Sequence, residues 1–80
     1  MGLEEVEFVL ALEQALGIEI PDVDTPSIRS PRQLIGYLEN RLLPGRWSRD
    51  ELERVVEGLL LDACGHANFT LDSEFRDIFP

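Results

Sequence analysis

The sequence predicts an all-α fold, a small bundle of three main helices followed by a short fourth one. Apolar residues recur at helical spacing in the stretches 3–16, 31–43 and 48–63. No stretch alternates polar and apolar residues over a useful length, so we expect no sheet. With 80 residues, of which 44% are hydrophobic, the chain fits a single folded domain, residues 1–80.

The first helix is expected over residues 3–16. Glu4 and Glu5 fall in its first turn, where acidic side chains are stabilised by the helix dipole. Gly17 is suited to the left-handed conformation that ends a helix. We expect its apolar stripe to comprise Val6, Phe8, Val9, Leu10, Leu12, Ala15 and Leu16.

Residues 18–30 are expected to form a loop, because Pro21 and Pro26 interrupt any regular pattern. A short helical turn fits between Asp22 and Ile28. The apolar residues spaced to reach the core from this loop are Ile18, Ile20, Val23 and Ile28.

The later helix ends are marked by capping residues. Ser30 and Ser48 each precede an apolar periodic stretch and have Gln or Glu three residues later, which predicts two capping boxes. Gly65 predicts the end of the third helix. We expect Asp72 to cap a last short turn whose apolar residues are Phe75, Ile78 and Phe79.

The net charge of the chain limits the kinds of partner that it can bind. Sixteen acidic residues against seven arginines, with no lysine, give a net charge of −9. Such a surface repels nucleic acid and anionic membranes, and the expected partner is a protein with a basic patch. No apolar run approaches the roughly twenty residues of a membrane helix. One cysteine and the absence of a basic, signal-like start predict the reducing cytoplasm.

Several runs of sequence resemble the acyl carrier protein family. Residues 2–13 read GLEEVEFVLALE and residues 16–22 read LGIEIPD. These runs are similar to the family from its modified serine through its second helix and into the following loop. Residues 28–38, IRSPRQLIGYL, resemble the family's last helix with its usual Ser or Thr cap.

The remaining family elements follow in an unexpected order. Residues 48–63 resemble the family's first helix, and residues 69–78 resemble the end of the long loop that precedes the modified serine. The resemblance therefore implies a circular permutation. Residues 1–43 would correspond to the second through last helices, 44–47 to a new linker, and 48–80 to the first helix and its loop. A short linker suffices where the old termini lie close together.

One position departs from the family. The serine that opens the family's second helix carries a 4'-phosphopantetheine arm, but Gly2 stands at the aligned position here. Because glycine has no side-chain oxygen, it cannot form the phosphodiester, and we expect no cofactor. The alternative is a genuine carrier with phosphopantetheine on another hydroxyl, for which Ser73 is the candidate.

The acidic residues of the first helix are the candidate binding site. They are Glu4, Glu5, Glu7 and Glu13. In the resembled family this helix docks onto basic patches of partner enzymes, so a fatty-acid, polyketide or adenylating enzyme is the expected partner. The competing interpretation is a solvated helix face that makes no specific contact. We expect a non-catalytic docking module whose partner and oligomeric state, including segment swapping, stay open.

No catalytic or metal site is expected. Asp62, Cys64 and His66 alternate near a helix end, but zinc sites usually take four ligands and the chain has no second Cys or His. Cys64 and His66 are also poorly placed as a nucleophile and base, because residues two apart on a helix do not face each other. The chain is therefore not expected to be an enzyme.

Overall fold

The computed structural model describes residues 3–43 and 45–79, and within them it confirms the all-α prediction, with no strand. Helix α3 packs against both α1 and α2. None of the helices in this described part is long and apolar enough to cross a membrane. The elements are α1 (Leu3–Leu16), a 3₁₀ turn (Thr25–Ser27), α2 (Pro31–Leu42), α3 (Arg49–Cys64) and α4 (Phe75–Ile78).

The predicted helix ends are largely confirmed. Gly17 and Gly65 have φ angles of 69° and 74°, in the left-handed region that glycine adopts without strain. At the start of α3, Glu51 N–H donates to Ser48 Oγ, and Ser48 N–H donates to Glu51 Oε1, so this capping box is complete.

The capping box predicted at α2 forms only in part. Ser30 Oγ accepts the backbone N–H of Gln33 at 3.2 Å, as expected of an N-cap. The Gln33 side chain, however, reaches one residue further back and accepts the N–H of Arg29 at 2.7 Å. The Gln33 side chain therefore binds the backbone of Arg29, the residue before the cap, and not the backbone of the N-cap Ser30.

The core lies on one side of α1 only. Helix α3 packs against α1, and the rings of Phe75 and Phe79 lie within 6.1 Å of the Phe8 ring, on the side that also buries Leu12 and Leu16. The expectation that Val6, Leu10 and Ala15 join this stripe is wrong, since all three are exposed. Val23, also expected in the core, is 85% exposed at the tip of its loop. The buried hydrophobic residues are Phe8, Leu12, Leu16, Ile20, Leu34, Ile35, Leu38, Leu52, Val56, Leu60, Phe75, Ile78 and Phe79.

Asp72 does not cap α4. Glu74 occupies the N-cap position without a side-chain bond, while Asp72 makes a two-pronged ion pair with Arg32, at 2.6 and 3.3 Å. Arg32 N–H also donates to Leu71 O at 2.8 Å, and the N–H of Phe75 donates to Arg29 O at 2.7 Å. The segment 71–75 is thereby held along the start of α2, and Asp72 binds Arg32 instead of capping α4.

The junction between α2 and α3 is tight. A Cβ atom on Gly45 would lie 2.7 Å from the carbonyl oxygen of Leu42, so only glycine fits there without a backbone shift. Trp47 packs half-buried against the core, and the guanidinium of Arg46 lies 5.3 Å from the centre of its ring system. The conformation of this short connection is therefore fixed both by the backbone at Gly45 and by the packing of Trp47.

Candidate functional site

The outer side of α1 carries an exposed apolar pair. Val6 is 39% exposed and Leu10 is 52% exposed, while Phe8 and Leu12 on the opposite side are buried. Because residues four apart lie one above the other on a helix, Val6 and Leu10 form a single small patch. These two side chains give the outer side of α1 a small apolar area.

Two of the predicted acidic residues flank this patch, and a third lies further around the helix. At about 100° per residue, Glu13 lies roughly 20° to one side of Val6, and Glu7 lies roughly 60° to the other side of Leu10. Glu4 lies roughly 60° beyond Glu7, about 120° from Leu10, at the outer edge of this surface. Glu4 and Glu7 are both exposed. We call Glu4, Val6, Glu7, Leu10 and Glu13 the docking face. Its acids flank an apolar centre instead of forming one continuous strip.

Glu13 also has a structural contact. Its Oε2 accepts the backbone N–H of Ile20 at 2.7 Å, across the turn that ends α1. The carboxylate therefore holds the loop after α1 in place and keeps Ile20 in the core. Sequence reasoning assigned Glu13 to docking alone, because nothing in the sequence identifies a bond between residues seven apart.

Two further contacts hold the same loop against α2. The Tyr37 hydroxyl donates to Asp24 Oδ2 at 2.6 Å, and Arg41 Nη1 donates to Glu19 O at 2.5 Å and to the Tyr37 hydroxyl at 3.2 Å. Desolvation, followed by the hydrogen bond to Asp24, raises the pKa of Tyr37 above its ordinary value, so it is a neutral donor at physiological pH. The loop is thus anchored at both of its neighbouring helices.

Glu5 faces away from the docking face and lines an apolar cavity of about 250 Å³. The cavity lies between α1, the loop after it, the start of α2 and Phe75. Its walls are mainly apolar, and it is open to solvent on one side. Its apolar lining includes Phe8, Val9, Leu12, Ile20 and Ile28.

A second, more polar cleft of about 370 Å³ adjoins the cavity and shares Glu5, Ile28 and Phe75 with it. It is also lined by Arg29, Glu74 and Arg76. Arg76 Nε lies 2.5 Å from Glu74 Oε2, so part of this charge is already paired. Sequence reasoning found neither opening, because both depend on how the loop 17–28 and the segment 71–75 close on α1.

The positions discussed for an arm are only partly visible. Gly2 and Pro80 lie outside the described residues. Ser73 is half-buried, and its Oγ accepts the N–H of Thr70 at 2.9 Å inside a turn, a poor setting for a bulky ester. Phe79 is buried at 8% exposure, so it does not form an exposed contact surface.

Cys64 and His66 bind the neighbouring backbone. Cys64 Sγ donates to His66 O at 3.1 Å, and His66 Nδ1 accepts the N–H of Asn68 at 3.1 Å. The ring's Nε2 lies 3.3 Å from Ile78 O, so the neutral tautomer with its proton on Nε2 satisfies both contacts. Across residues 3–43 and 45–79, no group of three potential ligands is placed to hold a metal ion.

Acyl carrier proteins from three organisms are similar to part of this sequence. That of Syntrophobacter fumaroxidans is 50% identical over 37 residues, or 46% of each chain. That of Campylobacter hominis is 45% identical over 39 residues, or 49% of each chain. Acyl carrier protein 2 of Pseudomonas aeruginosa is 54% identical over 38 residues, or 48% of each chain. This chain is acyl-carrier-protein-like.

The similarity has clear bounds. The acyl-carrier-protein-like chain spans about half the length of the curated relatives it matches. No protein-family model matches it. No solved structure matches it. All three relatives are named acyl carrier proteins.

Proposed function

We propose that this acyl-carrier-protein-like chain is a non-catalytic module that binds a partner protein through the docking face of α1 and bears no phosphopantetheine arm. The observation that carries the proposal is the exposed pair Val6 and Leu10 between acidic side chains. An apolar centre with a charged rim is the usual anatomy of a specific protein interface. A merely solvated helix face has no need of the apolar centre.

The charge of the docking face defines its partner. Glu4 and Glu7 are exposed, and the whole chain has a net charge of −9, so a basic patch around an apolar depression is the complementary surface. Because the relatives are named acyl carrier proteins, a cytoplasmic enzyme of fatty-acid or polyketide synthesis, or an adenylating enzyme, is the proposed class of partner.

One position of the sequence supports the proposed absence of an arm. Gly2 aligns with the family's modified serine and offers no oxygen for a phosphodiester. The described serine nearest in the alignment, Ser73, uses its oxygen in a turn. We therefore propose docking without a covalently carried acyl group.

Three observations support the circular permutation as part of this proposal. A colinear comparison can follow only one of two exchanged blocks, and the matches cover just under half of each chain. The Phe79 ring lies 6.1 Å from that of Phe8, so the end of α4 lies against the first half of α1. Gly45 allows the short connection between residues 1–43 and 48–80.

Reversing two charges tests the docking proposal. Glu4→Lys with Glu7→Lys should lower affinity for an immobilised condensing enzyme or adenylating ligase by about tenfold or more at low salt, since several exposed pairs of under ~1 kcal/mol each act together. Surface plasmon resonance measures the change. Glu57→Lys with Asp62→Lys, exposed on α3, is the control of equal charge. If both double variants bind like the wild type, or lose affinity equally, the docking face is refuted.

A second function is a genuine acyl or peptidyl carrier with 4'-phosphopantetheine on another serine. The name of the relatives and the apolar cavity favour it, because an apolar cargo can be shielded there. Intact mass after incubation with a phosphopantetheinyl transferase and coenzyme A decides between the two. An increase of roughly 340 Da that Ser73→Ala abolishes establishes the carrier function and overturns the first proposal. An unchanged mass supports docking without an arm.

A further inference from the structure

The apolar cavity and the docking face lie on different sides of α1, with Val9 between them. Val9 lines the cavity and lies about 60° from Val6 around the helix, so one side chain separates the two surfaces. The cavity is open to solvent, whereas Phe8 and Leu12 at its floor are buried. A partner seated on Val6 and Leu10 therefore reaches the cavity by extending around α1 past Val9.

The size of the cavity suits one hydrophobic side chain. Dry cavities of about 150 Å³ in protein cores bind a benzene ring, and this one measures about 250 Å³. Its loop wall is anchored by the bonds of Glu13 to Ile20 N–H and of Tyr37 to Asp24. The opening is thus largely preformed, and a Phe or Leu side chain can enter without rearrangement of the loop.

The charges around the mouth favour a cation beside that side chain. Glu5 is the charged residue among those that line the cavity. The adjoining cleft contains Arg29 and Arg76, but Glu5 and Glu74 lie there too, and Arg76 is paired with Glu74. With a net charge of −9 on the whole chain, an incoming carboxylate is disfavoured and an ammonium or guanidinium group is attracted.

We infer that the cavity receives a Phe or Leu side chain of the docked partner, next to an Arg or Lys whose cation pairs with Glu5. The inference rests on the proposed docking function and adds a recognition element to it. A buried hydrophobic anchor at the centre of a charged interface is where binding energy concentrates. The docking face steers and orients the partner, and the cavity selects it by shape.

A pair of synthetic peptides tests the anchor. Each is an alanine-rich helix with four arginines, and the two differ only by Phe or Ala at one central position. Fluorescence anisotropy with the full chain should show the Phe peptide binding about tenfold more tightly, because burial removes its ring from water. Equal affinities of the two peptides overturn the inference but leave docking intact. If neither peptide binds, the docking proposal fails together with the inference.

Variants of the chain locate the anchor. Val9→Phe fills the cavity and should abolish the preference for the Phe peptide, whereas Val23→Phe adds the same volume at an exposed loop position and should keep it. Glu5→Gln should weaken both peptides by about the same severalfold factor. If Val9→Phe does not fold by circular dichroism, Ile28→Phe at the opposite wall replaces it. A preference retained in the folded, filled variant contradicts the inference.

Small amphiphiles test the alternative occupant of the cavity, a free carboxylate with an apolar chain. Octylamine and octanoate carry similar apolar chains and opposite charges. Octylamine should displace the Phe peptide at a concentration at least about threefold lower than octanoate does, because of Glu5. If octanoate is the better competitor, the cavity is a site for a free carboxylate, and the inference of a partner's side chain is wrong.

Discussion

The two sides of helix α1 are built from the same kinds of residue and have opposite environments. Phe8, Leu12 and Leu16 are buried in the core, on the side of α1 that faces α3 and the C-terminal segment. Val6 and Leu10 are exposed between glutamates. Covering the exposed pair would require another element on that side, and in residues 3–43 and 45–79 no helix packs there. One side of α1 therefore stabilises the fold, and the other is available for a partner.

The largest expected effect is on the buried side. Leu12→Ala should lower the free energy of unfolding by about 3 kcal/mol, because it leaves a cavity in the core. Leu10→Ala, the same chemical change on the exposed side, should shift it by less than about 0.5 kcal/mol. Urea denaturation followed by circular dichroism measures both. Similar losses in the two variants would mean that Leu10 is part of the core.

An intermediate effect is expected at Glu13, which belongs to both sides. Glu13→Ala should destabilise the chain by about 1 kcal/mol, because the N–H of Ile20 loses its acceptor. Glu7→Ala, with no such bond, serves as the reference in the same denaturation experiment. A Glu13 variant as stable as the Glu7 variant shows that the loop holds without this contact.

A smaller effect concerns the apolar centre of the docking face. Val6→Ala with Leu10→Ala should reduce affinity for the immobilised partner enzyme about fivefold while the thermal midpoint stays unchanged. The loss should persist at high salt, unlike that of the charge-reversal variant, since hydrophobic contact is not screened. Unchanged affinity would restrict docking to the acidic residues.

The smallest expected effect is a change in stability at acidic pH. Arg32 lowers the pKa of Asp72 below its ordinary value, first through their hydrogen bond and then through charge attraction. The ion pair therefore contributes stability that is complete above about pH 4, the ordinary carboxyl range, and is lost as the pH falls through the lowered pKa. Asp72→Asn should remove part of the acid sensitivity of the Phe8–Phe75 contact, followed by NMR of the ring protons. Identical acid profiles of variant and wild type contradict this.

Helix bounds follow from the sequence because they depend on local chemistry. Gly17, Gly65 and the box of Ser48 with Glu51 act within one turn of chain, and each is found as predicted. The arc of α1 that is buried could not be predicted in the same way. Apolar residues occupy more than half of its circumference, so the choice of the covered arc depends on where α2 and α3 pack.

In the candidate site, too, local features were predictable from the sequence, whereas contacts between distant segments were not. The acidic residues of α1 are evident in the sequence, but the partnership of Glu13 with Ile20 N–H and of Asp72 with Arg32 depends on distant chain segments meeting. The resemblance to acyl carrier proteins was evident from residues 2–13 and 16–22. The cavity beside Glu5 required the packed loop.

The junction before α3 has a practical consequence for all of these measurements. Trp47 is the single tryptophan of the chain, half-buried beneath the Arg46 guanidinium and remote in sequence from α1. The wavelength of its fluorescence emission therefore reports whether the connection between α2 and α3 stays packed. If a variant of α1 changes binding without a red shift in this emission, it has altered recognition of the partner and left the packing around Trp47 intact.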